Sequence, residues 1–327
     1  MPAVSFRAPA LLVAALAVGG CGGDRRGNSP TPVTTPSAPP RGVAAGSIVT
    51  VIRGDTGAPV PGAAVTVAGR TYVADAAGAL RIEDAAAPGA LLDVTAPSVL
   101  DRQTTVGRGR LETLALWPRS TEAGIDESFT ATLVYTRDSL TGTGPTGAEP
   151  LRRFATGTTV FIVPSAEILA DEFAHAAHIY AVARMNNAAR GATTYTLAPE
   201  APLAGPVFNA RIGIEDPSCG ERTLAFTRTT LRSGEIVRGE IVYCSREAPH
   251  RAALVVHEMG HTFGLNHSLD PRDMMFRTFI AAHAVDFRAR EAEVMSLVML
   301  RPPGNRFPDS DREISGAALR EDIIVCR

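Results

Sequence analysis

Residues 257–275 read HEMGHTFGLNHSLDPRDMM, and no other stretch restricts the possible folds of this chain as strongly. His257 and His261 are four positions apart. On a helix that spacing puts both imidazoles on one face, one turn apart, so two nitrogens can reach a single metal ion. Glu258 sits beside the first of them, where its carboxylate can take a proton from an attacking water. Gly264 follows three residues after His261. A glycine there can adopt positive φ, end the helix and turn the chain back. His267 then arrives from outside the helix as a third ligand. Three protein ligands and one open position describe a catalytic zinc site rather than a closed structural one.

The run His257-Glu258-Met259-Gly260-His261-Thr262-Phe263-Gly264-Leu265-Asn266-His267 resembles the extended H-E-x-x-H-x-x-G-x-x-H signature of the metzincin zinc endopeptidases. That family carries a methionine turn beneath the metal, and Met274 and Met275 follow the third histidine closely. The spacing from His267-Ser268 to Met275-Phe276 is most similar to the matrix metalloprotease pattern, which selects Met275 for the turn. Phe276 stands where some branches place a tyrosine, so no ligand or oxyanion role is carried over. The resemblance implies one catalytic Zn2+ held by His257, His261 and His267, Glu258 as general base, and a peptide or protein substrate. Two other readings use the same residues. One is a surface binding or adhesion lipoprotein on an inactive metalloprotease fold. The other is a metal-dependent amidase acting on cell-wall peptides.

A chain of 327 residues leaves room for two domains plus tails. Net charge is −2, which gives no reason to invoke nucleic acid. All 32 basic residues are arginine, and this excludes a Schiff-base or P-loop lysine. Residues 1–20 hold Arg7, the apolar run Ala10–Val18 and Gly19-Gly20, the pattern of a secretory signal. Val18-Gly19-Gly20-Cys21 resembles a bacterial lipoprotein cleavage box. It implies a lipid on Cys21, a membrane tether and a place in the bacterial cell envelope. Gly22 and Gly23 carry no acidic retention signal, so the resemblance implies an outer-membrane or surface address rather than the inner membrane. Residues 21–46 are rich in Pro, Gly, Ser and Thr, the composition of a flexible spacer.

Residues 47–117 show short alternating runs at Ser47–Ile52, Val65–Val67, Thr71–Ala74, Ala79–Ile82, Leu91–Thr95 and Leu111–Leu116. Turn residues separate them, which predicts an all-β sandwich. Gly57–Ala63, Val65–Val67 and Ala74–Gly78 resemble the carboxypeptidase-regulatory-like module, which implies a structural spacer.

Residues 118–327 then form the metallopeptidase domain. The expected fold is multidomain, an all-β sandwich followed by an α+β metzincin-like domain with a mixed sheet and three main helices. Thr158–Val163 reads as a strand buried on both faces. Ser165 caps a long helix to about Ala189, with Phe173, Ala176, Ile179 and Tyr180 among its buried face. His175 and His178, three apart on that helix, leave a second metal site open. Val207–Ile214, Arg222–Thr227 and Glu235–Tyr243 read as strands. By resemblance, Glu235–Tyr243 is the antiparallel edge that pairs with extended substrate. Pro249–Met259 leads into the zinc helix, with Leu254, Val255 and Val256 as its buried flank. His250 starts that helix about 10 Å from His257, too far to ligate the same ion. Val285–Leu300 forms the third helix. In an exported protein a disulfide is expected. Cys219 and Cys244 bracket the edge strand and are the favoured pair, with Cys326 able to compete for either partner.

Overall fold

Seven strands form in the N-terminal part of the computed structural model, most of them on period-two alternation, and the structure describes residues 42–136, 149–279, 284–312 and 319–326. They are β1 (Ser47–Arg53), β2 (Ala64–Val67), β3 (Arg70–Val73), β4 (Ala79–Ile82), β5 (Leu91–Thr95), β6 (Arg102–Thr105) and β7 (Thr113–Leu116). The expected signal segment, Cys21, most of the linker and residues 137–148 lie outside the described residues. Two sheets form, ordered β4-β1-β7 and β3-β2-β5-β6. Val49, Val51, Val65, Ile82 and Val94 point into one apolar cluster between them. β6 has the sequence RQTT and no apolar residue to announce it. Distant partners hold it: Arg102 bonds Asp309 Oδ1 at 2.7 Å, and Gln103 bridges to Ser310.

The remaining elements are α1 (Glu127–Tyr135), β8 (Thr159–Pro164), α2 (Ala166–Ala170), α3 (Glu172–Ala189), β9 (Thr194–Leu197), β10 (Val207–Ile212), β11 (Ala225–Arg232), β12 (Glu235–Tyr243), α4 (Ala252–Thr262), α5 (Ala289–Val298) and β13 (Leu319–Cys326). Their six strands form one mixed sheet in the order β13-β11-β12-β10-β8-β9. β8, β9, β10 and β12 run parallel. β11 is antiparallel to both β12 and β13.

Four expectations change. The helix predicted from Ser165 to Ala189 is two, because Asp171 turns extended and its carboxylate caps Phe173 and Ala174. α3 then buries Ala174, Ala177, His178, Ala181 and Met185, while Phe173 and Ile179 face solvent. Small alanines let α3 lie close against α4, and the larger apolar residues take the outer side. β8 buries only alternate residues, Val160, Ile162 and Pro164. α5 starts at Ala289, four residues later than predicted, and Val285 is exposed. Beside the three main helices α3, α4 and α5, the described residues hold the shorter α1 and α2. α1 carries the β-branched Thr130, Thr132 and Val134, which argue against a helix; Asp126 caps it through Phe129 N–H at 2.7 Å, and packing supplies the rest.

The fourth change concerns the cleft. β12 is interior, flanked by β10 and β11. The antiparallel strand outside it is β11, and β13 pairs with β11 along its whole length. Cys219 and Cys244 are joined, with Cα atoms 5.4 Å apart, which ties the loop before β11 to the end of β12.

Candidate metal centre

α4 is buried along most of its length, with Leu254, Val255 and Val256 fully enclosed. It carries His257 and His261 and ends at Thr262. Gly264 then takes φ +102. Any Cβ at that position would collide with the carbonyl oxygen of Arg152, so the turn needs glycine twice over. Beyond it the Asn266 N–H donates to the Leu133 carbonyl at 2.7 Å, and the Arg152 guanidinium donates to Asn266 Oδ1. α1 and Arg152 thus fix the returning chain, and His267 swings back to face α4.

The three imidazoles converge through their Nε2 atoms. His261 Nε2 lies 3.1 Å from His257 Nε2 and 3.1 Å from His267 Nε2. The Nδ1–H of His257 donates to the Met274 carbonyl at 2.7 Å, and that of His261 donates to the Leu265 carbonyl at 2.8 Å. Those bonds hold the proton on Nδ1 and leave the Nε2 lone pairs of His257 and His261 pointing at each other. Lone pairs at such a distance repel unless a cation lies between them. A tetrahedral zinc site with Zn–N of about 2.05 Å has nitrogens about 3.3 Å apart, close to the spacing seen. The donor set fits zinc.

Glu258 is fully buried beside His257. The Thr227 hydroxyl, from β11, donates to its Oε2 at 2.6 Å. The same hydroxyl lies 3.1 Å from the Glu258 carbonyl. This contact fixes the carboxylate on the sheet side of α4.

Both methionines of the following turn are buried, with different jobs. The Met274 carbonyl orients His257. The Met275 side chain packs under α4 at Gly260, where a Cβ would collide with its sulfur. The Met275 carbonyl accepts from Ser268 N–H at 2.6 Å, so the turn also steadies the residue after His267. Glu291 of α5 clasps the turn from below. Its carboxylate accepts from Met274 N–H at 3.1 Å, Met275 N–H at 2.8 Å and Arg288 N–H at 2.9 Å. Burial pushes Glu291 up to about 7. Asp273, also buried, accepts from Arg290 at 2.5 Å.

The other described histidines lie elsewhere. His250 pairs with Asp171 at 2.9 Å. His178 is buried, with Nδ1 2.8 Å from the Ala174 carbonyl and Nε2 3.1 Å from the Tyr243 hydroxyl. Both its nitrogens are engaged, and burial lowers it to about 4; among the described residues it joins no metal cluster with His175. His283 lies outside the described residues. One residue at the centre was not expected there. Cys326, on β13, puts Sγ 3.5 Å from Nε2 of both His261 and His267. The ligand atoms of His257, His261, His267 and Cys326 all lie within 4.8 Å of one another. Its one signal in the sequence is an odd cysteine left over once Cys219 and Cys244 pair. Thr227 and Glu291 had no signal at all, being an ordinary strand threonine and helix glutamate.

The matrixin family model, of peptidase family M10, matches residues 167–298. The match runs from α2 through α5 and takes in His257, Glu258, His261, His267 and the methionine turn. It supports a metzincin-type zinc metallopeptidase domain within a mixed α/β chain, and the matrixins are zinc-dependent. No curated protein matches the chain.

Proposed function

We propose that the chain is a zinc-dependent endopeptidase of the matrix-metalloprotease type. The observation that carries this reading is the convergence of three imidazole Nε2 atoms beside the buried carboxylate of Glu258. Bound there by His257, His261 and His267, zinc would supply Lewis acidity toward a water and a scissile carbonyl. The chain's own residues do the rest. The Met274 and Leu265 carbonyls hold His257 and His261 in the tautomer that offers Nε2. Glu258 takes the proton of the attacking water and returns it to the leaving amine. Thr227 keeps the carboxylate aimed.

The location is outside the cytoplasm, on a lipid at Cys21. Support comes from the leader-like first 20 residues and from the Cys219–Cys244 disulfide, since such bridges persist in oxidising compartments. Residues 47–117 are a carboxypeptidase-regulatory-like sandwich that spaces the catalytic part, 118–327, from the bilayer. Two sheets closing over one apolar cluster favour that reading.

The test is metal content of the purified full chain together with cleavage of a mixed peptide library. About one zinc per chain, with cleavage stopped by a chelator and restored by zinc, is the expected result. A folded chain without zinc overturns the reading. Zinc with no cleavage by the chain or by any variant that opens its site moves the function to binding.

A further inference from the structure

The three histidines are sealed. His257 is 2%, His261 0% and His267 5% exposed, and Glu258 is fully buried beside them. Among the described residues β13 reaches them through Cys326. Residues Leu319–Cys326 lie antiparallel on β11, register by register, from Arg232↔Leu319 to Ala225↔Cys326. The strand delivers Cys326, 3% exposed, to the open side of the cluster. It lies beyond the region that the family model matches.

From this geometry we infer that Cys326 is the fourth zinc ligand of a closed His3Cys site, and that β13 occupies the strand edge an extended peptide would use. This rests on the zinc reading above. The distances carry it. In a tetrahedral site with Zn–N of about 2.05 Å and Zn–S of about 2.3 Å, nitrogen and sulfur stand about 3.6 Å apart. Cys326 Sγ is 3.5 Å from each of two Nε2 atoms. The sulfur thus stands at fourth-ligand distance from two of the imidazoles, and its distance to the His257 ligand atom is within 4.8 Å. On ligation the thiol gives its proton to solvent as the zinc–sulfur bond forms; on opening, that bond breaks and a water takes the position. Without β13, β11 would present its backbone N–H and C=O groups to solvent, and an extended peptide would pair there by main-chain bonds. The same strand therefore fills the ligand position and the substrate track together.

X-ray absorption on the zinc-loaded full chain tests this directly. The expected spectrum has one sulfur neighbour at about 2.3 Å beside three nitrogens. The sulfur shell disappears in Cys326→Ser and Cys326→Ala, while about one zinc per chain remains on the three imidazoles. Peptide cleavage by those variants rises on the order of tenfold or more, as expected when the open form is a minor population. A nitrogen- and oxygen-only shell in the unsubstituted chain overturns the inference and leaves the zinc site standing; Cys326 would then be a thiol hydrogen-bonded to imidazole. Absence of zinc from the folded chain overturns both. The spectrum of the unsubstituted chain decides even if neither variant folds.

Discussion

The hydroxyl of Thr227 donates to Oε2 of Glu258 at 2.6 Å, joining β11 to the proposed general base across 31 residues of sequence. The bond sets the direction in which the carboxylate accepts a proton. It also makes the sheet, and not α4 alone, part of the site's construction.

Thr227→Val keeps the shape and removes the donor. Catalytic turnover should fall by roughly 10- to 100-fold with zinc content unchanged, the usual size for loss of an orienting partner. Steady-state kinetics with metal analysis checks this. An unchanged kcat would show that Glu258 needs no such support.

Glu258→Ala removes the base and leaves every imidazole in place. Zinc stays bound, and cleavage drops by about 10²- to 10⁴-fold. The comparison is best made in a Cys326→Ser background, where turnover is easier to measure. Cleavage at the parental rate would sink the mechanism.

Glu291→Ala strips the acceptor from three N–H groups, two of them in the methionine turn. A buried donor left without a partner costs about 1–3 kcal/mol. With two of the three donors fully buried, urea denaturation should therefore show a loss of about 2–6 kcal/mol. Zinc affinity should fall with it, because the turn holds His257 through Met274. Loss of stability without loss of affinity would separate the turn from the metal.

Gly260→Ala drives a methyl group into the Met275 sulfur. Overpacking of this kind costs about 1–3 kcal/mol. Met275→Ala in the same chain makes room and should recover part of the loss, so a double-mutant cycle gives a coupling that a surface effect would not.

His178 gives a pH signature away from the metal. Its folded value is lowered from 6.5 to about 4 by burial. A depressed folded value favours the neutral form, so its contribution is present above pH 6.5 and is lost as pH falls through about 4. The difference amounts to roughly 3 kcal/mol. His178→Gln should flatten the acid branch of the unfolding free energy over that window. An identical branch in the variant would assign the acid sensitivity to other groups.

Short-range pattern carries a good deal of this molecule. His257, Glu258, His261, His267 and the methionine turn sit within residues 257–275, where helical spacing and one glycine suffice to infer which groups meet. The strands Ala79–Ile82, Leu91–Thr95 and Glu235–Tyr243 coincide with the expected runs, because alternation is a local property. The helix from Ser165 went wrong locally, since an aspartate inside a helical pattern can restart it as a cap and rotate the buried face. Everything else depended on partners far away. β6 is a polar run held by residues past 300. The sheet order set β12 inside and β11 outside, and no periodicity says which strand takes which neighbour. Cys326 is 59 residues from His267. A strand pairing on β11 brings it to the three histidines, and the free energy of that pairing is a property of two distant segments together, invisible in either one alone.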